Sequence, residues 1–233
     1  MWAGESPRAR WLFTSRFSPD GVSESSFENF NMALHVGDEV ASVIHNRNAA
    51  ATLIGSNAKA VVWPQLTHST TALEIRSVDD AVSSADILFT LNPDVTLATM
   101  SADCVPLVAI ARDTSFVLTA HIGWKGAAQQ IASTIEGIFR SHTDGNVDVM
   151  LGPAICGTCY QVEKLRQEQV LRALPESRIG KSGIDLRVGL EAYFMKCGYE
   201  VHVIGPCTFE ASNLFSYRRN ASTGRQAALV QLT

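Results

Sequence analysis

Two apolar runs, Val105–Ala111 and Phe116–His121, flank the polar stretch Arg112-Asp113-Thr114-Ser115. Runs of this length around so short a polar segment read as a β-hairpin. A turn centred between Arg112 and Asp113 sets Cys104 directly opposite His121 on one sheet face, with Cβ atoms about 4.5–5.5 Å apart. A slip of one residue would send the two side chains to opposite faces, so the inference rests on the turn type.

Further strand-like runs occur at residues 11–14, 60–63, 73–78, 87–90, 95–100, 147–151, 200–203 and 227–232, with helical spacing between them. That alternation predicts a mixed α/β (α+β) chain. The expectation is one domain spanning residues 1–233, a mixed β-sheet flanked by helices, because no repeat or low-complexity tract divides the chain. Asp38 is the expected N-cap of a helix over 39–53, on which Val40, Val43, Ile44, Arg47 and Ala51 share a face. An arginine on such a stripe needs an anionic partner or a route for its head to water. A second helix is expected over 127–141, burying Ala127, Ile131, Ile135 and Ile138.

Composition narrows the function. Hydrophobic residues are 46% of the 233 and charged ones 18%, which excludes a disordered chain. Nineteen Lys+Arg against 23 Asp+Glu give a net charge of -4, which argues against nucleic acid as the main partner. The apolar runs fall well short of the ~20 residues of a spanning helix, so no membrane role is expected. Glu5 and Pro7 do not suit a signal peptide, and five cysteines are few for the length. A cytoplasmic location is expected on those grounds. The oligomeric state carries no signal in the sequence.

A thiol beside an imidazole suits a shared metal ion, a nucleophile–base pair, or a buried cysteine next to a hydrogen-bonded histidine. Asp103 adds an ionisable group beside Cys104. Gly123 and Gly126 flank Trp124-Lys125 at a strand-to-helix turn, an anion site to which Lys125 would add charge. Of the six histidines, His45 and His142 sit in polar helical stretches and His202 in a short strand run, while His68, at a strand end before a Ser-Thr-Thr loop, is one plausible third ligand. Cys156-Gly-Thr-Cys159 has the C-x-x-C spacing but lacks the preceding tryptophan of a redox pair, and no second pair makes it a zinc ribbon. Cys197 and Cys207 read as buried small hydrophobes.

Ser101-Ala-Asp-Cys104-Val-Pro, His121-Ile-Gly-Trp-Lys-Gly126 and Leu151-Gly-Pro-Ala-Ile with Cys159-Tyr160 together resemble the laccase-domain, or polyphenol oxidase (YfiH-like), family. Asn31, His35-Val-Gly-Asp38, Asn46-Arg47, Ser216-Tyr-Arg-Arg219 and Thr223-Gly-Arg225 extend the match in family order. The resemblance implies metal ligands at His68, Cys104 and His121, with zinc, or alternatively copper, as the cofactor. It also implies phosphorolysis of adenosine, inosine, guanosine or methylthioadenosine, with adenosine deamination as a second activity. Purine nucleoside and phosphate are the expected small-molecule partners.

In that reading Asp103 is catalytic, positioning a proton or a ribose hydroxyl. Asn31, Arg47, Lys125, Tyr160, Arg218 and Arg225 bind substrate, with Arg219 as a further cation. Two rival readings come from the same resemblance. One is a cytoplasmic muropeptide amidase with Cys104 as nucleophile and His121 as base. The other is a copper polyphenol oxidase, which the absence of His-x-His pairs disfavours. The chain departs from the family pattern at Leu66, Ile122, Lys125, Cys156, Thr158 and Asn220, which bears on substrate preference more than on metal binding.

Overall fold

The computed structural model describes residues 1–80 and 84–233. Its strands are β1 (Trp2–Glu5), β2 (Ala9–Phe13), β3 (Val61–Val62), β4 (Ala72–Glu74), β5 (Ile87–Thr90), β6 (Thr96–Ser101) and β7 (Val105–Ala111). They continue as β8 (Val117–Ile122), β9 (Val147–Leu151), β10 (Arg178–Ile179), β11 (Gly183–Ile184), β12 (Glu200–Val203) and β13 (Gln226–Leu232). The helices are α1 (Val40–Leu53), α2 (Trp124–Ala128), α3 (Ile131–His142), α4 (Lys164–Ala173) and α5 (Leu186–Lys196).

Two mixed sheets stack face to face. One has the order β1-β2-β13-β6-β3 and the other β12-β9-β7-β8-β5-β4. Between them Phe13, Leu97, Ala228 and Val230 meet Leu88, Val108, Ile110, Val117 and Met150. On the outer face of the first sheet Leu12, Ala98 and Leu229 pack under Ala50 and Ile54 of α1. On the outer face of the second, Leu107, Ala109, Leu118 and Ala120 pack against Ile131, Ile135, Phe139, Val170 and Phe194. The helix–sheet–sheet–helix layering explains why β6, β7 and β8 are buried along their whole length. Strands covered on both faces carry apolar side chains at consecutive positions, not at alternate ones.

The expected α/β class holds, and β5, β7, β9 and β12 have the bounds their apolar runs predict. Elsewhere local hydrogen bonding redraws the elements. The run 73–78 pairs only to Glu74, because the Asp80 carboxylate takes the N–H groups of Arg76 and Ser77 at 2.7 and 3.0 Å. Only Val61 and Val62 of the run 60–63 pair, after a short 3-10 turn over Ala58–Ala60. Asp38 is not the N-cap of α1: Glu39 holds that position, and Asp38 accepts from Ser23 Oγ at 2.6 Å and Asn31 Nδ2 at 2.8 Å. The buried face of α1 is Val43, Asn46, Ala50 and Ala51, while Val40 and Ile44 face solvent.

The expected helix over 127–141 is two helices, broken where Gln130 adopts φ +65. A left-handed residue ends one helix and redirects the next. In the second of these helices Ile131, Ile135 and Phe139, spaced four apart, form the buried face, and Ile138 at its edge is only partly buried. Phe139→Ala is expected to cost about 3–5 kcal/mol in urea unfolding, with Ile138→Ala costing clearly less. Equal losses would show that Ile138 carries the packing.

Candidate active site

The 112–115 loop is closed by the Ala111 N–H donating to Phe116 O at 3.1 Å, and the hairpin pairs Val105 with Ile122 and Pro106 with His121. The register is thus two residues away from the one that faces Cys104 with His121. The turn is centred between Asp113 and Thr114, since all four polar residues lie in the loop. A two-residue shift preserves the face, so Cys104 and His121 meet diagonally instead of directly.

His68, Cys104 and His121 present donor atoms that all lie within 4.8 Å of one another, a group that could hold a metal ion. The two imidazoles stand edge to face, 4.7 Å between centroids. One carboxylate, fully buried on Asp86, organises this group. Its Oδ1 accepts from His121 Nδ1 at 2.8 Å, which leaves the other ring nitrogen for the cluster. The same carboxylate accepts the backbone N–H groups of Thr67, His68 and Ser69 at 3.2, 3.0 and 2.7 Å. Three successive N–H groups converging on an anion form a nest, and they offset the left-handed backbone of His68 at φ +59. A carboxylate behind a ligating histidine fixes its tautomer and orientation.

Burial pushes the Asp86 carboxyl up, but the hydrogen bonds of His121 and Ser69 outweigh it and hold the group well below the ordinary carboxylate range. Burial likewise raises the Cys104 thiol, and the His121 and His68 imidazoles overcome it, bringing the thiol down to about 6. For His121 burial lowers basicity while Cys104 and Asp86 raise it to about 9. Thiolate and imidazolium therefore stabilise each other.

This cluster lines a cavity of about 410 Å³, within the size range of small-molecule sites. Leu66, Trp124, Ile155, Tyr160, Leu186 and Tyr217 line it, as do the cations Arg166, Arg218 and Arg225. Asp103 also lines the cavity, at φ +93, and its carboxylate ties two loops together. Its Oδ1 accepts from Thr208 Oγ1 at 2.6 Å and its Oδ2 from the Arg218 N–H at 2.7 Å. The Arg218 guanidinium lies 4.9 Å from the Tyr160 ring centre.

Three expected substrate contacts do not line this cavity. Asn31 is fully buried, with its amide committed to Ala33, Asp38 and the Arg225 N–H. The Arg47 guanidinium stacks 4.3 Å from the Trp63 ring centre, and its Nε donates to Met32 O at 2.8 Å. Among the described residues no carboxylate pairs with Arg47, so a neutral carbonyl and an indole face stand where its helical stripe called for an anion. Lys125 faces a separate groove between α2 and α4. Arg219 is spent on the carbonyls of Thr208, Phe209, Ala211 and Leu214.

Three site residues lay outside the sequence reading. Arg166 reaches the cavity from α4, 4.6 Å from the Trp124 ring centre. His35, part of the family match but without a role in it, lines the cavity as well. Asp86 had a legible signal: an acid placed directly before the apolar strand Ile87–Thr90.

Two stacked mixed sheets, with a His2Cys group and converging guanidiniums in one cavity, define a small-molecule site able to hold a metal. A family model described as multi-copper polyphenol oxidoreductase laccase matches residues 10–233, and the chain belongs to that family. It is 35% identical over 233 residues to a protein named purine nucleoside phosphorylase from Corynebacterium glutamicum, covering 96% of this chain and 94% of that one. It is 34% identical over 236 residues to one so named from Mycobacterium tuberculosis, covering 97% and 92%. The solved structure of the hypothetical protein YfiH from Bacillus licheniformis superposes with a TM-score of 0.86 at 28% identity, covering 97% and 93%. Among the described residues, no helix is long and apolar enough to cross a membrane.

Asp86 has a lowered folded pKa, so the stability it adds is complete above its unfolded value near about 4 and is lost as pH falls below it. Asp86→Asn should therefore melt well below the native chain at about pH 7, by calorimetry, with the gap starting to narrow below about pH 4 and closing only where the folded carboxyl itself takes up a proton. A gap independent of pH would remove the carboxylate from this role. At Gly123 an added Cβ would lie 2.9 Å from His68 Cδ2 and 3.0 Å from Cys104 Sγ. Gly123→Ala is expected to weaken metal binding roughly tenfold or more in a chelator competition, with the fold retained.

Proposed function

We propose that the chain is a metal-dependent purine nucleoside phosphorylase whose metal ligands are His68, Cys104 and His121. The observation that carries this reading is that one cavity holds this ligand group together with three guanidiniums, those of Arg166, Arg218 and Arg225. The family and the names of its relatives support it. The donor set suits zinc: two imidazoles and a thiolate leave one coordination position for water or substrate. Adding a Cβ at Gly123 would fill the space beside His68 and Cys104, so the cradle requires glycine there. Zinc bound there would supply Lewis acidity for polarising an oxygen of the substrate or of phosphate.

The chain's own groups do the rest. Trp124, Tyr160 and Tyr217 offer flat faces for a purine, and the guanidiniums match phosphate through paired N–H donors. A phosphate oxygen then forms a bond to ribose C1′ while the bond from C1′ to the base nitrogen breaks. The electron pair leaves with the purine, which takes up a proton, and ribose 1-phosphate remains. Asp103 holds the Arg218 backbone, so it sets where that cation stands, and from its place in the cavity lining it would position a ribose hydroxyl. Adenosine deamination is proposed as a second activity, in which a water oxygen bonds to purine C6 while the bond from C6 to the amino nitrogen breaks, so that ammonia leaves and inosine remains.

Release of adenine from adenosine is expected only when inorganic phosphate is present, with products separated by chromatography. Adenine released equally well without phosphate would overturn the phosphorylase. Inosine formed without phosphate would report the deaminase. Arg225→Ala is expected to raise KM for phosphate about tenfold, the loss of one charge-assisted hydrogen bond.

A second reading rests on a different observation, the Cys104–His121–Asp86 relay with its lowered thiol, which has the form of a cysteine nucleophile, base and orienting acid. Alkylation separates the two. In zinc-loaded protein Cys104 is expected to resist iodoacetamide, and in chelated protein to react with a midpoint near about pH 6, well under an ordinary thiol. Rapid labelling with zinc present, together with cleavage of an amide substrate, would favour the hydrolase.

A further inference from the structure

A second group of soft donors lies outside this cluster. Cys156, Cys159, Cys207 and Glu210 present three sulfurs and one carboxylate oxygen, all within 4.8 Å of one another. Two chain segments meet to build it. Cys156 and Cys159 flank a tight turn in which the N–H groups of Cys159 and Tyr160 donate to Cys156 O at 3.1 and 2.9 Å. The Asp185 carboxylate anchors that turn by accepting the Gly157 N–H at 3.0 Å. Cys207 arrives through a parallel bridge between Ala154 and Cys207, with the Thr208 N–H donating to Ala154 O at 3.1 Å.

The donors already touch across the two segments. The Cys156 N–H donates to Cys207 Sγ at 3.3 Å. Cys159 Sγ lies 3.5 Å from Glu210 Oε1. Among the described residues, no Lys, Arg or His comes within ion-pair distance of the Glu210 carboxylate. The Arg219 guanidinium instead pins the carbonyls of Thr208, Phe209 and Ala211, which holds the 207–211 turn in place. Cys207 is buried, whereas Cys156 and Cys159 are partly exposed and Glu210 is exposed, so an ion can enter from solvent.

We propose that Cys156, Cys159, Cys207 and Glu210 form a second zinc site, structural in character. Zinc–sulfur bonds near 2.3 Å put tetrahedral sulfurs roughly 3.8 Å apart, so small side-chain rotations close the group around one ion. Four protein donors leave no position for substrate, which distinguishes it from the three-donor cluster. Its place gives it a task. Ile155 and Tyr160, which flank the two cysteines of the turn, line the cavity, and Thr208, next to Cys207, donates to the Asp103 carboxylate. Binding of the ion would lock together the two segments that form this wall.

Full-length protein loaded with zinc and desalted is expected to hold two ions per chain. Cys156→Ser and Cys159→Ser should each lose one ion and keep the other, while His68→Ala should lose the other and keep this one. Cobalt replacement gives a second readout. The sulfur-to-cobalt absorption of the His68→Ala protein should be roughly three times that of Cys156→Ser, since three sulfurs bind there against one at the His2Cys cluster. Should the cysteine variants fail to fold, Glu210→Gln with the cobalt spectrum of the native chain serves in their place. A Cys156→Ser chain with native metal content overturns the proposal, as does an intact mass showing a disulfide among the three cysteines after zinc loading. A loss confined to the His68→Ala count bears only on the first site, so the two failures are distinguishable.

Discussion

One buried carboxylate holds the candidate site together. Asp86 accepts three consecutive backbone N–H groups from the 67–69 turn and the Nδ1 of His121, so a single anion positions two of the three metal-ligand candidates. Burying that charge is tolerable because hydrogen-bond donors and an imidazole surround it. The same contacts stabilise a histidine in left-handed backbone, a conformation that an L side chain adopts only when its surroundings enforce it. The site's anchor sits immediately before β5 of the second sheet, where the Asp86 carbonyl also accepts the His121 N–H at 2.8 Å.

Sheet stacking supplies the third candidate ligand and the cavity. Cys104 lies between β6 and β7, where the chain leaves one sheet and enters the other. Such a crossing cannot be regular strand, and Asp103 takes φ +93 to make the bend. Its carboxylate then fastens the loops at Thr208 and Arg218, which brings C-terminal residues over a site built from the chain's middle. Arg218 reaches the cavity for the same reason, and Arg225 reaches it from a segment held by its own N–H donating to Asn31 Oδ1 at 2.9 Å.

Much of this was legible in the residues. The runs at 105–111, 147–151 and 200–203 are long apolar or alternating stretches whose bounds local pattern decides. Polar residues 112–115 give a hairpin register two residues away from the observed one, yet Cys104 and His121 share a face in both because strand side chains repeat every two residues. Patterns that depend on distant partners were not legible. Asp80 truncates β4, Gln130 splits the helix expected over 127–141 in two, and Arg166 enters the cavity from α4. Asn31 and Arg47 carry strong motif signals, but their side chains are committed to holding the chain together.

The sequence by itself determined the α/β class, the strand-rich middle of the chain and the residue types able to bind a metal, because these follow from hydrophobic periodicity and from donor chemistry over short spans. Tertiary structure alone decided which cations share the cavity, that Asp86 orients the histidines, and that Cys207 joins Cys156 and Cys159 across some fifty residues of chain. Convergence of side chains far apart in sequence depends on how two sheets stack and which loops cross their ends. No local pattern records that geometry.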